Sequence, residues 1–490
     1  CSTDPFPCKS RTTLVRTGRV LVGAGGMTSR AKVVFPVRNT KTGKAGTRRV
    51  GGTFRTRTRI LVRVPSDAIT GAIRVVVPGP HYSKGARVTV VHAPLPAHRA
   101  PLPSTGTPGA GAGFFAGSGM WVWYLNRDEG GDPDAIAAKA AAAGVHTIFV
   151  KSADGDDVWS QFSRTAVAAL KATGLNVCAW QFVYGNDPAG EARAASVAAA
   201  NGADCFVIDA EGAYEGKYAQ AQTYMTDLRA AVGPDFPIAL TSFPYINFHG
   251  AFPYSVFMAP GNATFNLPQV YWKAIGDSPD VSLATTYLYN RVYGPPVYPL
   301  GQAYDGTTAT DVQRFRQLSE AYGARGVSWW VWDQASAANW TAIGKDLPSI
   351  PAPADPGFPT LSASGSRTGS RGDLVVLAQE HLAGADQSVA VDGDFGPGTA
   401  RAVRAYQAAK GLTQTGQVDA ATWPVLMRET PVEPDWAALA DRAKATAKGA
   451  SASIASVRVG QPRFPAVNGP ASASMRARRY EIPRGPLKPR

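Results

Sequence analysis

The sequence predicts a multidomain chain: an N-terminal β-sandwich, a central (β/α)8 barrel of the TIM type, and a small three-helix module near the C-terminus. Three observations carry this. At roughly 150 residues per domain, 490 residues make about three domains. Two stretches rich in Pro with Gly or Ser, 94–118 and 348–370, read as linkers. Between them, apolar and aromatic-rich runs recur at near-equal intervals of 27 to 34 residues.

Residues 1–93 hold short β-branched runs (GRVLVGAG, AKVVFPV, TRILVRVP, AIRVVVPG) separated by Gly, Pro and Ser. Such runs predict a small sandwich. The stretch from Arg59 to Gly85, with its VP…G…V.V pattern, resembles immunoglobulin-like folds of the IPT/TIG type.

In 119–347 the runs begin near Gly119, His146, Asn176, Ala203, Pro237, Leu267, Pro296 and Gly326, and helical stretches such as DAIAAKAAAAG and TATDVQRFRQLSEAYG fill several gaps. Eight strand–helix units with continuous apolar strands predict a parallel barrel, with an open doubly wound sheet as the competing arrangement. Chemistry in such barrels gathers at the C-terminal ends of the strands. Reading those ends gives Lys151 and Asp154, Gln181, Asp209 and Glu211, Gln269, Tyr271 and Trp272, then Trp332 and Asp333. Aromatic faces beside amides and carboxylates suit a sugar, whose C–H face stacks on rings while polar groups fix its hydroxyls. Packing of the barrel core accounts equally well for Trp123, Trp180 and Trp329.

The sharpest feature is Asp209-Ala210-Glu211. Residues i and i+2 of a strand face the same way, about 6.6 Å apart at Cα. Two carboxylates so placed repel, and one is expected to keep its proton. A protonated acid beside an ionised partner suits cleavage of a glycosidic bond through an oxocarbenium-like transition state. Glu211 is the candidate acid and Asp209 its partner, with Lys151, Asp154, Gln181, Gln269, Tyr271, Trp272, Trp332 and Asp333 as candidate substrate-binding residues.

The barrel resembles the glycoside hydrolase family 25 lysozymes, cell-wall muramidases. Lys151-Ser152-Ala153-Asp154-Gly155 is similar to their KATEG segment, Asp209-Ala210-Glu211 to their D-x-E, Trp272-Lys273-Ala274 to their W-x-A, and Val331-Trp332-Asp333-Gln334 to their Trp-rich last strand. The resemblance implies that Glu211 is the catalytic acid. That family opens with G-x-D on strand one; this chain has Gly119-Met120-Trp121 there. Asn126 or Asp128 stands in, or the barrel binds glycan without cleaving it. D-x-E on strand four also occurs in family 18 chitinases, whose fuller D-x-x-D-x-D-x-E is absent here.

Residues 371–428 resemble the type 1 peptidoglycan-binding domain. Val375, Ala378, Gln379 and Leu382 make one helical face. Asp392-Gly393-Asp394-Phe395-Gly396, Thr399, Tyr406-Gln407, Gly411-Leu412, Gly416 and Thr422-Trp423 complete its signature. Beyond, 429–490 reads as an Ala-rich helix and a basic tail.

Charge follows the domains. Residues 1–100 carry 19 basic and 2 acidic residues, 430–490 carry 11 and 4, and the middle carries 20 and 30. Basic ends suit anionic wall polymers. Nucleic acid is disfavoured, because the Arg-rich head has few aromatics for base stacking. Cys1 is read as a lipid anchor or as the partner of Cys8, and both imply export. Cys178 and Cys205, in apolar runs, read as buried thiols. No metal-ligand spacing occurs among Cys and His, so neither metal nor cofactor is expected. No run of about 18 uncharged apolar residues exists to span a membrane. The expected function is an exported cell-wall glycosidase targeted to peptidoglycan; the competing reading is a non-catalytic wall- or virion-associated glycan binder.

Overall fold

The structure, a computed structural model, describes residues 112–363, 369–436 and 438–439, with eight strands between Thr12 and Val91. Cys1, Cys8 and most of the basic tail lie outside the described residues, and the lipid-anchor and Cys1–Cys8 expectations with them. The chain divides into two compact units, Cys1–Ala97 and His98–Arg490.

In the first unit, five strands pair in the order Thr12–Val15, Ala86–Val91, Gly71–Val76, Lys32–Arg38 and Ala45–Val50, and a second sheet holds Arg19–Gly23, Arg59–Arg63 and Thr53–Thr56. Val33, Phe35 and Val37 alternate with more exposed neighbours, so one face of that strand is buried. Most loops that join the two sheets, and the sandwich packing and IPT/TIG-like expectations with them, lie outside the described residues.

The second unit contains the parallel barrel. Its strands are β1 (Gly117–Val122), β2 (Val145–Asp154), β3 (Asn176–Val183), β4 (Phe206–Ala210), β5 (Ile238–Thr241), β6 in two halves (Phe265–Asn266 and Gln269–Val270), β7 (Leu300–Gln302) and β8 (Gly326–Trp330). The sheet begins on one half of β6 and ends on the other. Leu267 and Gln269 donate backbone N–H bonds to β5 and to Ser242 beyond it, while Asn266 and Pro268 accept from Tyr298 and Leu300. The broken sixth strand thus joins β5 to β7 and completes the ring.

Local chemistry sets the helices. Asp132, Ser163 and Asp187 cap α1 (Pro133–Ala142), α2 (Arg164–Ala172) and α3 (Pro188–Ala200); α4 (Tyr218–Val232) lacks a side-chain cap. Ser278, Thr308 and Ser336 cap α5 (Pro279–Asn290), α6 (Ala309–Ala321) and α7 (Ala337–Gly344). Each capping oxygen accepts from an otherwise unpaired N–H of the first turn. After β5 come only a 3-10 turn, Ile246–Phe248, and a single α-helical turn, Tyr254–Phe257.

The place of a full helix there is taken from further along the chain. Helix α8 (Asp373–Gly384) packs against Tyr254–Phe257. Asp373 accepts from Tyr218 at the start of α4, from the backbone and hydroxyl of Ser255, and from Tyr293 just beyond α5. Every residue from Asp373 to Leu382 is buried. A helix buried all round belongs in a core rather than on a surface. Gly372, at φ 107, enters this contact so closely that a Cβ would lie 2.6 Å from the Gly250 carbonyl oxygen.

Residues 348–363, the described first part of the 348–370 stretch read as linker, are largely exposed or half-buried, but Asp355, Pro359 and Leu361 make fixed contacts. Arg291 binds Asp355, the Trp423 indole donates to the Pro359 carbonyl, and Leu361 bridges Val418. The rest of the module is α9 (Pro397–Ala409) and α10 (Trp423–Leu426). Two Gln side chains organise it identically. Gln379 donates to Thr399 Oγ1 and accepts from Gly393 N; Gln407 donates to Thr422 Oγ1 and accepts from Gly416 N. The signature residues are therefore largely structural, with Tyr406 and Trp423 fully buried.

The two mid-chain cysteines are corrected. Cys178 and Cys205 form a disulfide, their Cα atoms 4.6 Å apart. Cys178 lies in β3 and Cys205 just precedes β4, side by side in the barrel interior.

Candidate active site

The barrel interior is packed with aromatic rings. Trp121, Trp180 and Trp330 lie with centroids 5.4 to 5.6 Å from one another, and Trp123 adds edge contacts to Trp180 and Trp330. Inward positions alternate along each strand, which places Asp209 and Glu211 on the face of buried Cys205 and Val207.

The two carboxyls share one donor. Gln269 Nε2, from the second half of β6, donates to Asp209 Oδ1 and Glu211 Oε1, both at 3.0 Å. Asp209 is buried and Glu211 partly exposed. Burial, then the neighbouring Glu211 charge, pushes the Asp209 carboxyl well above the usual carboxylate range. Burial also raises Glu211 to about 7, opposed by hydrogen bonds from Gln269 and Asp209. The pair therefore holds a proton near neutral pH.

Lys151 and Asp154, from β2, join this group. Lys151 Nζ bonds Asp154 Oδ2 at 3.1 Å, and Tyr184 OH donates to Asp154 Oδ1 at 2.8 Å. Tyr271 is buried with its phenol raised by burial, by Tyr304 and by the charges of Asp209 and Glu211. The structure thus brings together Lys151, Asp154, Asp209, Glu211, Gln269 and Tyr271.

Four candidates fall elsewhere. Gln181 is fully buried on the outward face of β3, donating to the Gly155 and Glu191 carbonyls and accepting from Tyr224 OH. Trp272 packs on Phe315 in the outer layer. Trp332 packs edge-on against Trp340, also outside the ring. Asp333 is exposed and acts on Asp128 instead of the pair. None of these four is bonded to the Asp209–Glu211–Gln269 group in the structure.

Asp128, one of the two residues considered in place of a strand-one carboxylate, is 2% exposed. Neither carboxyl oxygen has a hydrogen-bond partner among the described residues. Burial first, then Asp333, raises it to about 8. Asn126 is exposed. The carboxylate that faces the pair comes from β2, as Asp154.

Two residues of the site carried no sequence signal. Trp159, in the loop after β2, stacks on Tyr124 and lies over Lys151. Gln161 donates to the Trp123 and Lys151 carbonyls and accepts from Leu125 N, tying the β1 and β2 ends together. Among the described residues, no group of His, Cys, Asp and Glu is arranged to hold a metal ion, and no helix is long and apolar enough to cross a membrane.

Residues 371–426 match the PG_binding_1 family, a peptidoglycan binding domain. No curated protein matches the chain. Among solved structures, the spore cortex-lytic enzyme SleL of Bacillus cereus is 10% identical at a TM-score of 0.37, covering 53% of this chain and 76% of that one. A chitinase from Chromobacterium violaceum is 13% identical at 0.32, covering 46% and 98%. An endo-1,4-β-D-mannanase from Thermotoga petrophila is 10% identical at 0.35, covering 44% and 88%. At these scores the likeness assigns no chemistry to the chain.

Proposed function

We propose that the barrel is a glycoside hydrolase acting on the glycan strands of peptidoglycan, in the manner of a muramidase, and that the module holds it on that polymer. The observation that carries this reading is the Asp209–Glu211 pair, bridged by Gln269 in an aromatic-lined barrel, in the same compact unit as a peptidoglycan-binding module.

Glu211 is the carboxyl with access to a leaving-group oxygen. Glu211 gives the proton that the pair holds to the glycosidic oxygen as the C–O bond breaks. Asp209 is left ionised, and its charge opposes the positive charge developing on the sugar ring. Gln269 keeps both carboxyls in register throughout. A general acid of this kind contributes about 10²–10⁴ in rate.

The disulfide and the module support a place outside the cytoplasm, at the cell wall. The basic N-terminal unit and C-terminal tail add attraction to anionic wall polymers. A second reading, a glycan binder without turnover, is favoured by one observation: Asp128, the carboxylate following β1, lies beside Asp333 and away from the pair. Release of reducing sugar from purified peptidoglycan decides between them. Turnover by wild type, lost in Glu211→Gln, supports the hydrolase; no turnover by wild type supports the binder.

A further inference from the structure

Lys151 is too deeply placed to be a substrate contact. The residue is 1% exposed. Its ammonium lies 4.5 Å from the ring centroid of Trp123 and 4.7 Å from those of Trp159 and Trp180. Asp154 takes a hydrogen bond from it, and Tyr184 and Gln161 fix Asp154 and the Lys151 backbone in turn. Burial lowers the Lys151 pKa from its ordinary value, and the Asp154 and Asp209 charges, with three ring faces, oppose that loss of hydration. So complete an enclosure fixes a charge in space, and its direction matters more than its surface.

The groups that act on Asp209 are Glu211 just past the end of its strand, Lys151 and Asp154 on β2, the Gln269 amide on β6 and the Tyr271 phenol just beyond it. Among the described residues, Lys151 is the one cation in that set. Without it, two buried carboxyls beside Asp154 have only an amide against their charges. Each would then bind its proton through the neutral range, and Glu211 would have no ionised partner beside it.

We propose that Lys151 is a positioning residue: a caged cation, inaccessible to substrate, that limits the Asp209–Glu211 pair to one exchangeable proton and holds Asp209 ionised once that proton has moved to Glu211. The step balances within the pair. One O–H bond breaks on Asp209 as one forms on Glu211, and the charge left on Asp209 is favoured by the Lys151 charge. The kinetic part of this inference rests on the proposed hydrolase; the protonation part does not.

The experiment follows the carboxyl C=O stretch of the full chain by infrared difference spectroscopy against pH, with bands assigned from Asp209→Asn and Glu211→Gln. Lys151→Met should move ionisation of the pair to higher pH, raising its proton affinity tenfold or more. Lys151→Arg should restore it toward wild type. If Lys151→Met fails to fold, Lys151→Gln keeps a donor to Asp154 without the charge and gives the same reading. An unmoved titration in a folded variant overturns the proposal. Where wild type turns over peptidoglycan, Lys151→Met should lower kcat and leave KM within about twofold. A raised KM at unchanged kcat would make Lys151 a substrate contact and also overturn it. Absence of turnover in wild type removes the hydrolase reading, while the infrared titration still decides the role of Lys151.

Discussion

Tyr218 and Asp373 are 155 residues apart in sequence, and the phenol of one donates to the carboxylate of the other at 2.9 Å. That contact joins the barrel to the module. With Ser255 and Tyr293 it gives the buried carboxylate four donors. Asp373→Ala leaves those donors unpaired in a site without water access, at about 2–3 kcal/mol. The expected result is a lower unfolding midpoint in denaturant. A chain ending at residue 363 should aggregate, since Tyr254, Phe257 and Tyr293 lose their cover; unchanged solubility would show the contact to be dispensable.

The same interface should weaken with rising pH. Burial holds Asp373 at about 6 and Glu380 at about 9, and Glu433 is also raised. Each folded-state value lies above its unfolded value near 4. The stability these groups contribute is therefore complete below pH 4 and is lost as pH climbs toward 9. Glu380→Gln removes the largest of these effects. Its melting temperature should exceed that of wild type at pH 8 and approach it at pH 5.

At the carboxylate pair, Glu211→Gln should abolish most turnover while folding and binding to insoluble peptidoglycan persist. Asp209→Asn should slow turnover less severely. Burial raises Glu211, the group that gives the proton to the leaving oxygen, to about 7. Activity should accordingly fall on the alkaline side as that proton is lost, and a kcat/KM profile against pH would show the limb. Wild-type rates in both variants would place the chemistry elsewhere in the barrel.

Asp128 should cost the protein stability. Its carboxyl is buried without a hydrogen-bond partner among the described residues and is raised to about 8. At neutral pH, folding must either protonate it or bury its charge. Asp128→Asn should stabilise the chain by on the order of 2 kcal/mol at pH 7 and by little below pH 4. Equal midpoints for variant and wild type at pH 7 would show that Asp128 has a partner in solution.

Much of this was legible from spacing alone. A repeat near 30 residues announces strand–helix units, and the eight runs each contain a barrel strand. Asp209 and Glu211 could be paired because strand parity is strict. The same parity, applied to β3, would have turned Gln181 outward, since Trp180 on one side of it faces in. Trp272 and Trp332 lie just past their strands, where alternation ceases and backbone turns decide direction. The disulfide had a trace: Cys178 and Cys205 are 27 residues apart, one strand–helix–strand period, which sets both at one level of adjacent strands. Trp159 and Gln161 were hidden because a loop has no period. Composition was silent on the end of 348–363, where Pro excludes regular structure but not contact: Leu361 and Pro359 find partners on the module.

The short turn after β5 has a mechanical consequence. Had a full helix stood there, the module would have hung from its tether and swept an arc around its point of attachment. With α8 seated in the gap, module and barrel turn together. A molecule gripping the wall through its module presents the barrel mouth at one distance and one angle. On the proposed function, bonds lying off that radius are reached only when the polymer itself bends, or when the whole molecule lets go and lands again.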